Sequence, residues 1–231
     1  MLVFSEDILE IYANTKPAYK KVYNILKAEI LSGQTASMER LTEVKVAQAL
    51  GISRTPVRAA LAQLKSEGIL DNVSKNRVGV KQLSRTDMAS LLYMDELLEN
   101  TAAYLAAING SQEDIDTLFE INDKIRAFHC ESVKKNVGLK GIRDLHLQFH
   151  LMIAKMSGNR FLYKEVVELR SLLRLHSNDG SARPSDYADT VAPCHDKILE
   201  AMNARDPEGA KLWMEVDLTL RRDIYKDSKM Q

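Results

Sequence analysis

Leu50-Gly51-Ile52-Ser53-Arg54-Thr55-Pro56-Val57-Arg58-Ala59-Ala60-Leu61 is the stretch on which the reading of this chain turns. Gly51 and Ile52 form a tight corner, and a helix opens near Ser53 with Pro56 in its first turn, where a missing N–H is harmless. Val57, Leu61 and Leu64 then recur at i, i+4 and i+7, while Arg54, Arg58 and Lys65 run along a neighbouring stripe with Ala62 between them. One stripe packs and the other faces outward. Upstream, Thr42 is a good N-cap for a helix through Val44, Val46, Ala47 and Leu50 that ends at Gly51. Helix, Gly-containing turn and second helix with basic residues at its start are what a side-chain reader of the major groove requires.

Working outward, Val22, Ile25, Leu26, Ile30 and Leu31 predict a first helix over Ala18 to Leu31. Downstream, Ile69-Leu70 and Val78 to Val80 read as strands around the polar segment Ser74-Lys75-Asn76-Arg77. From Thr86 the pattern is helical, broken near Asn109-Gly110, Asn136 to Gly138, Ser157 to Asn159, Ser177 to Ser185 and Asp206-Pro207. Six helices are expected, at about 86–108, 112–133, 140–157, 160–176, 186–204 and 207–226, with start signals at Thr86, Ser111 and Asp206. The fold class is mainly α: an N-terminal extension (1–16), a winged helix-turn-helix DNA-binding domain (17–83) and an antiparallel all-α bundle for ligand sensing and dimerisation (86–227).

The 32 Lys and Arg exactly offset by 32 Asp and Glu would argue against an acidic partner if the charge were uniform. It is not. Residues 16–85 carry 13 basic against 5 acidic side chains, net +8; residues 86–231 carry 19 against 24, net −5; residues 1–15 add −3. A basic unit is joined to an acidic one, which suits double-stranded operator DNA as partner of the first. Glu6, Asp7 and Glu10 stand where a signal peptide needs a basic start, and no run of about 18 apolar residues exists, so no membrane partner and a cytoplasmic location are expected. Cys130 and Cys194 have neither metal-finger nor redox spacing.

Arg54 and Arg58, one turn apart, can reach the same stretch of groove, and Ser53 and Thr55 add hydroxyls suited to phosphate. The quoted stretch, followed by Leu64 and Glu67-Gly68-Ile69-Leu70, closely resembles the signature of the GntR family of bacterial regulators over about 65 residues. The resemblance implies operator contacts at Ser53, Arg54, Thr55 and Arg58, with the wing residues Lys75, Asn76 and Arg77 reaching the minor groove or backbone. Val44 stands where the family commonly has a DNA-touching Arg, and Arg77 about where a Gly is usual. Two recognition helices on successive groove faces imply a homodimer.

His146 and His150 are four apart on one predicted helix, so both imidazoles leave one face. Spacing alone fits either a shared metal or a hydrogen-bonded core pair. The bundle resembles the FadR C-terminal (FCD) type that follows this DNA-binding domain in one GntR branch, and its six helices resemble the VanR-like subgroup. That resemblance implies a divalent metal held by His146, His150, His195 and Asp217, although the branch usually has Asp where His146 stands and His where Asp217 stands. Three imidazoles and a carboxylate suit zinc, nickel, manganese or iron. The branch often has Arg-x-x-Leu-Glu on the first sensor helix; here Leu98-Glu99 persist and Asp95 occupies the Arg position. Arg143, Arg170 and Arg174 are the candidates to replace it in binding a small carboxylate metabolite. The expected function is a ligand-responsive regulator and not an enzyme. The alternatives are a metal-dependent hydrolase using the His/Asp set, or a regulator whose bundle only dimerises.

Overall fold

The computed structural model describes residues 2, 4–31, 41–135, 140–176 and 184–227, without the side chains at 129–135, 140, 143, 176, 184–192, 221 and 223–227. The expected breaks at 136–138 and 177–183, the side chain of Cys130 and that of Arg143 lie outside the described residues.

The chain divides near Ser84 into two compact units. In the first, α1 (Glu6–Ile11), α2 (Ala18–Leu31), α3 (Glu43–Leu50) and α4 (Arg54–Ser66) precede a hairpin of β1 (Leu70–Ser74) and β2 (Arg77–Val80). Thr42 caps α3 as expected, its hydroxyl accepting from the Lys45 N–H at 3.2 Å. Gly51 ends α3 with φ 63°, a left-handed conformation that a Cβ would strain, and this turns the chain into α4. Val57, Ala60, Leu61 and Leu64 are buried and pack α4 against α2, whose Val22, Ile25, Leu26 and Ile30 are buried in turn. Lys27 on α2 pairs with Glu67 at 3.0 Å, just past the end of α4. Leu41 pairs antiparallel with Val78, adding a single bridge beside the hairpin.

Two differences from expectation have physical causes. Ser74 and Arg77, expected within the turn, are paired across the hairpin, and only Lys75-Asn76 turn the chain. β1 is exposed at every residue after Leu70, so its polarity mimics a loop. The N-terminal extension carries α1, with Phe4 only 5% exposed and the Ser5 N–H donating to the Glu29 carboxylate on α2, so it is packed into the first unit.

The second unit consists of α5 (Arg85–Asn109), α6 (Gln112–Lys135), α7 (Lys140–Met156), α8 (Arg160–His176, of which Arg174–His176 group with the first unit), α9 (Pro184–Asn203) and α10 (Pro207–Asp227). α5 packs on α7 and α10, α10 on α9, α9 on α6, and α6 on α7, which closes a ring. Ala102, Ala103, Ala106 and Ala107 line the inner face of α5, and such small side chains let neighbouring helices approach closely. Ser111 opens α6 reciprocally with Asp114: its hydroxyl accepts from the Asp114 N–H at 3.1 Å, and the Asp114 carboxylate accepts from the Ser111 N–H at 3.2 Å. Asp206 opens α10 by accepting from the Gly209 N–H at 3.0 Å. α5 begins at Arg85, one residue before the expected start at Thr86. Among the described residues no helix is long and apolar enough to cross a membrane.

Candidate functional site

In the first unit, Ser53, Arg54, Thr55 and Arg58 are all exposed on the first turns of α4. Ser53 is the N-cap residue, but its side chain makes no capping hydrogen bond. Arg54 and Arg58 are 60% and 67% exposed, and both donate to the Glu43 carboxylate at the start of α3. Those hydrogen bonds hold the Glu43 carboxyl down at about 2. Lys75 and Asn76 form the hairpin turn and Arg77 opens β2, all three exposed.

In the second unit, the ring of helices carries its polar groups inward. α7 supplies His146 and His150, α9 supplies His195 and α10 supplies Asp217, each at most 6% exposed. One ring nitrogen from each of the three histidines lies within 4.8 Å of the other two. His150 Nε2 is 3.5 Å from one Asp217 oxygen and His195 Nε2 is 3.6 Å from the other. Ligands about 2.0–2.2 Å from a shared metal stand roughly 3–3.5 Å apart; the three histidines form the group compact enough to hold an ion, and Asp217 lies at the upper edge of that spacing from two of them. Neither Asp217 oxygen has a hydrogen-bond partner among the described residues. A buried carboxylate in that position needs a cation or a proton.

Other side chains fix which way the imidazoles face. His150 Nδ1 lies 2.6 Å from the Glu99 carboxylate on α5. Burial, with Arg170 and His195 nearby, pushes the His150 pKa well down, so the ring is neutral and one nitrogen carries the proton. A carboxylate accepts, so Nδ1–H donates to Glu99 and the Nε2 lone pair points toward Asp217. His195 is held likewise: Nδ1 is 3.2 Å from the Asn122 side-chain oxygen, and the Asn122 amide donates to Asp196 at 2.8 Å. Since that amide nitrogen faces Asp196, its oxygen is turned to His195 and accepts the Nδ1–H, which leaves Nε2 as the ring atom facing Asp217. Phe149 stacks on the His195 ring, centroids 4.0 Å apart. A carboxylate or amide behind each ligating imidazole is the usual support of a metal site.

Of the three arginine candidates, Arg170 contacts this cluster: it is 7% exposed on α8, with Nε 3.3 Å from Asp95 and Nη2 paired to Glu99. Burial opposes its charge, but Asp95, Glu99 and Asp217 outweigh burial and raise its pKa. Arg174 is half-buried one turn further along α8. Burial pushes Asp95 well up and Asp217 to about 7, the Arg170 charge opposing both shifts. Asp95, Glu99 and Asp217 thus gather around one guanidinium, and because burial holds Asp95 and Asp217 toward their protonated forms, a divalent cation bound there would have to displace protons. Asp95, Glu99 and Asn122 escaped the sequence reading as site residues. The available signal was the family pattern on the first sensor helix, where Leu98-Glu99 persist and Asp95 replaces an expected Arg: here a guanidinium comes from α8, and α5 supplies the acids.

Residues 18–80 match the gntR family of bacterial regulatory proteins, and residues 90–219 match the FCD domain. The chain is 27% identical over 199 residues to the uncharacterized HTH-type transcriptional regulator YdhC of Bacillus subtilis, covering 84% of this chain and 85% of that protein. It is 27% identical over 220 residues to the Exu regulon transcriptional regulator of Escherichia coli, covering 85% and 80%. The solved structure of E. coli McbR/YncC shares the fold with TM-score 0.77 at 22% identity, over 93% of this chain and 100% of that one.

Proposed function

Given that the chain belongs to the gntR family of bacterial regulatory proteins, with an FCD domain after its winged helix-turn-helix, we propose that it is a homodimeric cytoplasmic regulator whose operator contacts are Ser53, Arg54, Thr55, Arg58 and the wing residues Lys75, Asn76 and Arg77, and whose helical domain holds a divalent metal on His146, His150, His195 and Asp217 and senses a small carboxylate. Regulators of this family bind operator DNA, FCD domains respond to small-molecule effectors, and the relatives are regulators, so the hydrolase reading falls away. The observation that carries the metal assignment is the placement of His150 Nε2 and His195 Nε2 at 3.5 and 3.6 Å from the two oxygens of Asp217, neither of which has a hydrogen-bond partner among the described residues.

A divalent ion bound there would offer its open coordination positions to a carboxylate. The chain's own groups do the rest. Glu99 and Asn122 keep His150 and His195 in the ligating tautomer, and Arg170 supplies the positive charge beside them. Because the groups come from α5, α7, α8, α9 and α10, an acid that favours one arrangement of these helices shifts the population toward it.

The test is metal analysis of the purified protein, followed by thermal-shift screening of small organic and sugar acids with and without added zinc, nickel, manganese or iron. Stabilisation by an acid only when metal is present supports the reading. No bound metal and no metal-dependent shift would leave a bundle that only dimerises. In the same assay Asn122→Leu is expected to lower metal affinity about tenfold by releasing the His195 ring, read by titration against a chelator; an unchanged affinity removes Asn122 from the site.

A further inference from the structure

The outward basic pair of α4 does not stand alone. Glu43, the first residue of α3, receives three hydrogen bonds across the helix-turn-helix: from Arg54 Nη2 at 2.9 Å, Arg58 Nε at 2.8 Å and Arg58 Nη2 at 3.0 Å. Toward Arg58 this is the two-pronged carboxylate–guanidinium geometry that fixes orientation as well as charge. We propose that Glu43 is a specificity-determining positioning residue: it holds both guanidiniums in one orientation and cancels one of their two charges, which favours discrimination among bases over indiscriminate attraction to DNA. This rests on the reading of Arg54 and Arg58 as DNA contacts.

An arginine pair without a counter-charge is drawn to phosphate on any duplex, and that attraction carries no sequence information. With Glu43 between them the three groups carry net +1. Each guanidinium has five N–H donors; Glu43 engages one on Arg54 and two on Arg58, so most remain available to base edges or phosphates. Orienting a flexible side chain before binding reduces the entropy lost on binding. Glu43 stays ionised at any pH at which the protein would be handled, its carboxyl being held at about 2. Ion pairs this exposed contribute little to folding, so removing the carboxylate leaves the fold in place.

The experiment uses the full chain, an operator selected by the wild-type protein from a random duplex pool, and an unrelated duplex of the same length, each titrated across a range of salt. Glu43→Gln is expected to bind the unrelated duplex about three- to tenfold more tightly, to steepen the log-log salt slope by about one, and to lower the operator preference severalfold. Glu43→Asp keeps the charge on a shorter arm and should retain the wild-type salt slope while losing preference. Wild-type slope and preference in Glu43→Gln overturn the proposal, as does a uniform loss of binding to both duplexes with a lowered melting temperature, which marks a merely structural cross-link. Arg58→Ala is run alongside: if it binds like wild type, the underlying contact assignment fails, whereas if it loses affinity and Glu43→Gln changes nothing, only the role of Glu43 fails.

Discussion

Arg58→Ala is expected to weaken operator binding by about 1–3 kcal/mol, roughly 5- to 150-fold, with the melting temperature nearly unchanged. The Arg58 side chain is 67% exposed and pairs with Glu43, so truncation opens no cavity in a core formed by Val57, Ala60, Leu61 and Leu64. What it removes is a fork of donors at the start of the helix placed for the major groove. The form of the loss identifies the contact. If Arg58 reads a base edge, affinity for the selected operator falls and discrimination at one position relaxes. If it grips phosphate, affinity falls about equally on all sequences and the salt slope decreases by about one. Arg54→Ala, one turn away, is expected to behave similarly, and the two losses should not add, because both arginines share Glu43. Fluorescence anisotropy at fixed salt measures each. Binding unchanged in both variants would remove the recognition assignment from α4.

What the sequence disclosed and what it concealed follow from how far apart the interacting residues lie. Helix ends at Thr42, Gly51, Ser111 and Asp206 were legible because each signal acts within about four residues, and the corresponding hydrogen bonds are in place. The His146/His150 pair was legible for the same reason, being one helical turn. His195 and Asp217 could be joined to it only through family resemblance, since nothing local links them. Glu99 was noted only as the retained end of a family pattern and Asn122 not at all, because their histidine partners are 51 and 73 positions away. α1 was missed because six residues are too few to set up a period, and its anchoring through Phe4 and Glu29 is tertiary. The hairpin was read short because an exposed strand and a turn use the same polar residues. Arg170 shows the limit most plainly: sequence offered three arginines of equal standing, and burial beside Asp95 and Glu99 distinguishes it.

Asp217→Asn should flatten the response of the helical domain to both pH and metal. Burial raises the Asp217 carboxyl to about 7, above its unfolded value of about 3.9. The folded metal-free protein therefore binds this proton more tightly than the unfolded chain, and it loses stability as pH rises from about 4 to about 7, on the order of 4 kcal/mol from this group. Asparagine is nearly the same size and never ionises, so the metal-free variant should lose much less over that range. Some slope remains, because Asp95 is pushed in the same direction and is still present. Metal has the opposite effect: a ligating carboxylate must first lose its proton, so the stabilisation that metal gives the wild type grows with pH. Loss of a ligand should lower metal affinity by at least about 100-fold, more than loss of a supporting hydrogen bond does, and the metal-induced shift in the variant should be small at every pH. Melting curves from pH 5 to about 8, with and without zinc or manganese, separate the cases. A variant that keeps the wild-type metal shift at pH 8 would show that Asp217 is not a ligand, and its burial beside His150 and His195 would then need a proton in place of a metal.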